Sequence, residues 1–288
     1  MSLRQRLQRK EILVAPGVTD ALTASIATAA GFEALYLTGA GIAYTKLGRP
    51  DIGLVSVTEV AETLSLIRER VPTKLIVDAD TGFGNALNVE RTVRLFERAG
   101  ANALQLEDQT FPKRCGHLAD KSLIGTTEMV GKIKAAVDSR QSEETLIVAR
   151  TDAVAVDGFD AAIERARRYQ EAGADVLFVE APKSEADLNR LSTALAGTLP
   201  LLANMVEGGQ TPILPAAKLE QMGFSLVIFP GGIVRALAKT AEAFYQALHR
   251  DGTTDAMRPH MFDFDGLNAM LGTKDILARG KSYEAGGQ

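Results

Sequence analysis

Ala30-Gly31-Phe32-Glu33-Ala34-Leu35-Tyr36-Leu37-Thr38 reads as a helix ending at Gly31, then a short apolar strand, then a polar residue that closes it. The same nine-residue frame returns at Ala99 through Glu107, Ala172 through Glu180 and Met222 through Pro230. Each glycine suits the left-handed cap that stops a helix before a strand. Further strand-like runs lie at Ile12 to Ala15, Leu75 to Val77, Leu146 to Ala149 and Leu201 to Ala203. Helices are expected over Val57 to Arg70, Asn88 to Arg98, Glu128 to Val137, Asp160 to Ala172 and Gly232 to Leu248, most with apolar residues three and four apart. Strict alternation of helices with eight buried parallel strands predicts an α/β fold of the (β/α)8 TIM-barrel class. A doubly wound open sheet, the main rival, usually has fewer strands. No linker rich in Pro, Gly or Ser interrupts the pattern, so residues 1–288 are expected to form one barrel domain, with 250–288 a C-terminal helical extension.

The chain has 288 residues, 46% hydrophobic and 24% charged, with no Trp. That length exceeds the usual domain of roughly 100–200 residues, but barrels of this class commonly reach about 250 as one unit. A formal charge of -4 gives no general reason to bind nucleic acid or an anionic membrane. A small-molecule partner is expected. One cysteine cannot build an internal disulfide framework, which points to a reducing compartment, the cytoplasm. The basic opening Met1 to Lys10 is not followed by an apolar signal core, and no run approaches the about 18–20 apolar residues of a membrane span.

In a barrel, residues closing the strands meet at one mouth. Here they are Thr38, Asp78 with Asp80, Glu107 with Asp108, Arg150 with Asp152, Glu180, Asn204 and Pro230-Gly231-Gly232. Asp78 and Asp80 stand one residue apart, so an extended backbone would aim both carboxylates the same way. With Glu107 they offer hard oxygen ligands suited to Mg²⁺ or Mn²⁺; an Asp that caps a loop or helix is the plainer alternative. Arg150 ends an apolar strand and needs an anion, either a substrate carboxylate or Glu180. Thr38 and Asn204 are recommended by position alone, because both residue types also serve turns and caps. Pro230-Gly231-Gly232 suits an anion at a helix N-terminus, or an ordinary turn. His249 and His260 fall outside the pattern.

Lys113-Arg114-Cys115-Gly116-His117 carries the lone thiol between cations and a histidine. Positive neighbours lower a thiol pKa, so Cys115 is a candidate proton donor or nucleophile. A lone Cys is often just a small buried hydrophobe. Its loop, however, runs from Gln109 to about Thr127, long for this connection and of lid-like length. Lys113 is expected to bind electrostatically rather than through a Schiff base.

Together these residues resemble the isocitrate lyase and phosphoenolpyruvate mutase superfamily. The likeness runs from Tyr36-Leu37-Thr38-Gly39-Ala40 through Asp78-Ala79-Asp80, Glu107-Asp108-Gln109, Lys113-Arg114-Cys115-Gly116-His117, Arg150-Thr151-Asp152, Glu180 and Asn204 to Arg235. The resemblance implies a barrel whose last helix is exchanged between subunits of a homotetramer, a dimer of dimers. It implies Mg²⁺, or Mn²⁺, near Asp78, Asp80 and Glu107, held partly through water, with Asp51 close by. Thr38, Gly39, Ala40, Arg150 and Asn204 would position the carboxylates of a small dicarboxylate, and Arg114, Gly116, His117 and Arg235 join that set. Lys113, Tyr36 and Glu180 stand with Cys115 and Arg150 as catalytic candidates.

The implied chemistry is a retro-aldol, Claisen-like cleavage. A 2-hydroxy dicarboxylate loses its hydroxyl proton, the carbon-carbon bond breaks to leave a 2-oxo acid such as pyruvate, and the carbanion takes a proton from Cys115. The hydroxyl base is open between Tyr36, Glu180 and a metal-bound hydroxide. Methylisocitrate lyases carry a Met-Gln-Thr-Arg-like segment near the C-terminus and a Thr after the strand-seven Asn. This chain has Met261-Phe262-Asp263-Phe264-Asp265-Gly266 and Asn204-Met205-Val206 instead, so a smaller substituted malate of the 2,3-dimethylmalate kind, or oxaloacetate, is expected. Two rivals are a phosphonomutase of the carboxyphosphonoenolpyruvate mutase type and a non-catalytic small-anion binding protein. Cys115 argues against the first, and the intact Asp, Glu, Cys and Arg set against the second.

Overall fold

The computed structural model describes residues 1–116, 118 and 120–284, so His117 lies outside the described residues. The chain divides into two compact units, Met1–Val234 and Arg235–Gln288. The first contains strands β1 (Leu13–Val18), β2 (Ala34–Leu37), β3 (Lys74–Asp78), β4 (Ala103–Glu107), β5 (Leu146–Thr151), β6 (Val176–Val179), β7 (Leu201–Asn204) and β8 (Leu226–Phe229). Each strand pairs in parallel with the next, and β8 returns to pair with β1. The result is the closed eight-stranded barrel expected from the repeated frame.

The frame glycines act as predicted. Gly31, Gly100, Gly173 and Gly223 have φ of 93°, 100°, 101° and 97°, where a Cβ would cost roughly 1–2 kcal/mol. Helix starts are equally local. Ser56 and Glu59 form a reciprocal capping box before Val57–Arg70, and Asn85 and Asn88 do so before Ala86–Arg98. The second of these helices buries Val89, Thr92, Val93 and Phe96, a spacing of three and four that turns one stripe onto the barrel wall.

Along each strand alternate residues enter different cores. Tyr36, Ile76, Ala103, Val148, Phe178, Leu202 and Ile228 fill the barrel interior. Leu35, Val77, Leu104, Ala149, Leu177 and Val227 pack outward under the helices. The inward register, extended to the C-terminal strand ends, delivers Asp78, Glu107, Arg150, Glu180 and Asn204 to the mouth. At the opposite end, helix Leu3–Leu7 sets Leu3 and Leu7 against Leu13, Leu146, Val176 and Leu226. That end is filled by hydrocarbon.

Helix Gly232–Asp251 runs into the second unit, which also holds a short turn at Asp255–His260 and helices Phe264–Leu271 and Thr273–Glu284. His249, His260 and the 250–288 segment all fall within that unit. Among the described residues no helix is long and apolar enough to cross a membrane.

Candidate active site

Glu107 and Arg150 face each other as register partners on β4 and β5. The guanidinium has three carboxylate partners rather than the single anion foreseen. Nη1 lies 3.2 Å from Glu107 Oε2, Nε and Nη2 donate to Asp152 Oδ2 and Oδ1 at 2.8 and 3.0 Å, and Nη2 lies 3.3 Å from Glu180 Oε2. The Phe178 ring lies 5.2 Å from the guanidinium carbon. Burial would lower the Arg150 pKa, but Asp152, Glu107 and Glu180 hold it well above its ordinary value. Glu180 is fixed further: Asn204 Nδ2 and Ala181 N donate to its two oxygens at 2.9 and 2.8 Å. Ala181 sits in the left-handed region at φ 59°, a strain of order 1–3 kcal/mol that surrounding contacts must hold.

On the β3 side, Asp78 Oδ1 accepts from Asp80 N at 3.2 Å and from Gln105 Nε2 at 3.3 Å. Tyr36 donates its phenol to Gln105 Oε1 at 2.9 Å. The extended backbone assumed between the two aspartates is not what forms, since Asp80 has φ 46°. Both carboxylates nevertheless converge on Gly39, where an added Cβ would stand 3.3 Å from Asp78 Oδ2 and 3.3 Å from Asp80 Oδ1. Thr38 caps the short helix Gly39–Ile42, accepting from Gly41 N at 3.2 Å, so Gly39 and Ala40 open that helix beside the carboxylates. Burial, then the negative Asp78, push the Tyr36 phenol well above its usual pKa. It is a hydrogen-bond donor.

The long loop after β4 is pinned at its base by an antiparallel bridge between Gln109 and Leu123 and by Thr110 N donating to Ser122 O at 2.9 Å. Gln109 also grips Arg114, exchanging two hydrogen bonds of 2.8 and 2.9 Å with its backbone. Lys113 Nζ lies 2.6 Å from Asp51 Oδ1 and 2.8 Å from Asp80 Oδ1. Burial would lower its pKa, but Asp80, Asp51, Glu107 and Asp78 raise it well above normal. A lysine held this firmly as an ammonium is a charge, not a Schiff-base nucleophile.

Cys115 is partly exposed, and its N–H donates to Asp51 O at 3.1 Å. The next residue, Gly116, lies so close to the mouth that an added Cβ would stand 2.8 Å from Glu180 Oε2. Only glycine fits there. The loop therefore carries Lys113, Cys115 and Gly116 onto the residues gathered by the barrel. Arg114 is half-exposed, 3.5 Å from Asp120 Oδ2. Arg235 stands in the second unit.

Two strand-end residues do not do what position suggested. Asp108 turns outward from the mouth: its carboxylate accepts from Thr151 Oγ1, Tyr169 Oη, Arg165 Nη1 and Asp152 N at 2.7, 2.7, 3.2 and 2.9 Å. One step along a strand reverses the face. At Pro230-Gly231-Gly232 the chain's own Glu207 stands close by: a Cβ on Gly232 would lie 2.8 Å from its Oε1.

With this geometry, the comparisons with known proteins are specific. The family described as phosphoenolpyruvate phosphomutase matches residues 3–249. The chain belongs to the phosphoenolpyruvate mutase and isocitrate lyase superfamily. It is 43% identical over 284 residues to 2,3-dimethylmalate lyase of Eubacterium barkeri, covering 99% of this chain and 98% of that one. It is 48% identical over 277 residues to 2-methylisocitrate lyase of Aeropyrum pernix, covering 96% and 88%. Oxaloacetate acetylhydrolase in complex with 3,3-difluorooxalacetate superposes with a TM-score of 0.92 at 33% identity, covering 100% and 97%. Phosphonopyruvate hydrolase in complex with oxalate and Mg²⁺ does so at 0.87 and 28% identity, covering 96% and 95%. These superfamily relatives include carbon-carbon lyases.

The phosphonopyruvate hydrolase relative is seen with Mg²⁺, and the carboxylate donors gathered here are of the hard-oxygen kind such an ion takes. Glu107 Oε1 is buried with no hydrogen bond among the described residues. Burial pushes the Glu107 carboxyl above its ordinary range despite Arg150, and pushes Asp80 up to about 7 against the pull of Lys113. Asp51, Asp78, Asp80, Glu107, Asp152 and Glu180 outnumber Lys113, Lys121 and Arg150, an imbalance that a divalent cation relieves. Among the described residues no group of three or more His, Cys, Asp or Glu side chains is arranged to hold a metal ion.

Two participants were missed from sequence. Gln105 links Tyr36 to Asp78, and a polar residue two before Glu107 in an otherwise apolar strand was the available signal. Lys121 reaches Asp152 from within the long loop, where no periodicity marks it.

Proposed function

We propose that the protein is a Mg²⁺-dependent lyase that cleaves a substituted malate, or a 2-oxo dicarboxylate such as oxaloacetate, with Cys115 as general acid. The observation that carries this reading is the seating of Gly116 against Arg150 and Glu180, which sets the adjoining thiol-bearing residue at the edge of the anion-binding mouth. The names of the lyase relatives support the substrate class.

Asp78, Asp80 and Glu107 would hold the ion, partly through water, where Mn²⁺ could replace Mg²⁺; it supplies Lewis-acid stabilisation of substrate oxygens. Arg150 pairs with a substrate carboxylate and opposes charge developing on the 2-oxygen. Asn204 and the Gly39–Ala40 backbone orient the carboxylates, with Thr38 holding that turn in place. Tyr36, a firmly neutral phenol, donates rather than accepts. Glu180 is then the chain's own base for the hydroxyl proton. The carbon-carbon bond breaks, its electrons pass to the departing carboxylate fragment, and Cys115 returns a proton to that carbon. Lys113, between Asp51 and Asp80, keeps the loop on the site, and Arg114, Gly116, His117 and Arg235 complete the substrate contacts. The same reading holds the enzyme to be a cytoplasmic homotetramer with an exchanged last helix, and light scattering at four chain masses tests the assembly.

The decisive assay is release of pyruvate or a homologue from 2-alkylmalates and 2,3-dimethylmalate, and of oxalate and acetate from oxaloacetate with one water consumed, each with Mg²⁺ and after chelation. Cys115→Ser is expected to lose about 10²–10⁴-fold in kcat while oxalate still binds; full activity in that variant removes Cys115 as the acid. Phosphonopyruvate and carboxyphosphonoenolpyruvate, followed by phosphorus NMR, give the opposing result. Turnover of those with none on malates establishes a phosphonomutase instead.

A further inference from the structure

Lys121 lies on the same loop as Cys115, with its side chain only 2% exposed. Its ammonium donates to the carbonyl of Gly116, the residue after the thiol, and to Asp152 Oδ1 at 3.0 Å. Asp152 in turn receives Arg150 through both oxygens, at 2.8 and 3.0 Å. The Asp152 backbone is fixed from behind by the Asp108 carboxylate at 2.9 Å. A buried ammonium persists only where it is paired, and this one takes one acceptor from the Cys115 loop and one from the end of a barrel strand. Lys113 ties the other side of the loop to Asp51 and Asp80, so it cannot substitute for the Asp152 contact.

We propose that Lys121 is a positioning residue which, through Asp152, makes the seating of the Cys115 loop and the aim of the Arg150 guanidinium a single hydrogen-bonded unit. Its effect on rate rests on the lyase reading; its effect on loop seating does not.

Because Cys115 is the chain's only thiol, its alkylation by iodoacetamide reports loop seating without reference to turnover. The plateau rate at high pH, where the thiol is fully ionised, removes pKa effects. Lys121→Met is expected to raise that rate about tenfold or more, the factor a charge-assisted hydrogen bond carries. Lys121→Gln, a milder variant should Met not fold, keeps a neutral donor and is expected to give a smaller rise. Lys121→Arg is expected to restore most of the protection. Asp152→Asn should raise the rate too, and the double variant with Lys121→Met no further than the larger single, since both cut one tie. In turnover, Lys121→Met lowers kcat about tenfold with KM changed less. A wild-type alkylation rate in Lys121→Met or Lys121→Gln, or multiplying effects in the double variant, overturns the proposal. If alkylation behaves as expected but the wild-type enzyme cleaves no malate, the lyase reading fails and the tie stands.

Discussion

Glu107 and Asp108 are neighbours in sequence, both buried carboxylates, and they have opposite fates. Asp108 faces outward and accepts from two hydroxyls, a guanidinium and a backbone amide. Glu107 faces the mouth, has Arg150 at 3.2 Å on one oxygen, and has no hydrogen bond on the other among the described residues. A saturated network rigidifies the wall. The under-satisfied carboxylate one position earlier is the exception to the rule that buried polar atoms are paired, and on the proposed function a ligand would satisfy it. The barrel wall thus separates stability from chemistry by the width of one strand.

The largest test of that contrast is Asp108→Ala, which strands several buried donors. It is expected to lower unfolding free energy by about 3–5 kcal/mol in urea titrations. Glu107→Gln should instead stay within about 1 kcal/mol of wild type in stability, yet lose about 10²–10³-fold in malate cleavage. Equal destabilisation by the two would erase the distinction. Asp152 lies between the two networks and sharpens it through pH. Burial would raise its pKa, but Arg150 and then Lys121 hold it at about 2, below the roughly 3.9 of an unfolded aspartate. Its contribution, on the order of 2 kcal/mol, is present above about pH 4 and lost as pH falls through about 2. The stability gap between wild type and Asp152→Asn should therefore close over that interval. Smallest is Asn85→Ala, the cap of helix Ala86–Arg98: about 1 kcal/mol by thermal unfolding, with turnover unchanged because the cap touches only the outer layer.

The barrel was legible because its signals are local. A glycine that must be left-handed, followed by four or five apolar residues, states a helix end and a buried strand with no reference to the rest of the chain. The inward members of the site were legible as the polar residues that close apolar strands, and in the structure Arg150 and Glu180 each continue the inward face begun by Val148 and Phe178. Asp108 was misjudged because proximity to a strand end says nothing about which face a residue takes. The left-handed turns at Asp80 and Ala181 were hidden too, since neither residue type announces positive φ. Lys121 is set by contacts no sequence period marks, a carbonyl five residues back in its own loop and a carboxylate 31 residues on.

Leu3 and Leu7 extend the packed interior to the N-terminal end of the barrel, so among the described residues the polar strand ends meet solvent only at the opposite mouth. On the proposed function, reactant, solvent and both fragments of a cleaved molecule would share that mouth, beside the loop that bears Cys115. Order of departure would then be a matter of traffic as well as affinity, since the fragment nearer that loop would have to leave first. Removing the two leucines would open a drain at the floor, and the first sign would be water reaching the underside of the Tyr36 and Phe178 layer.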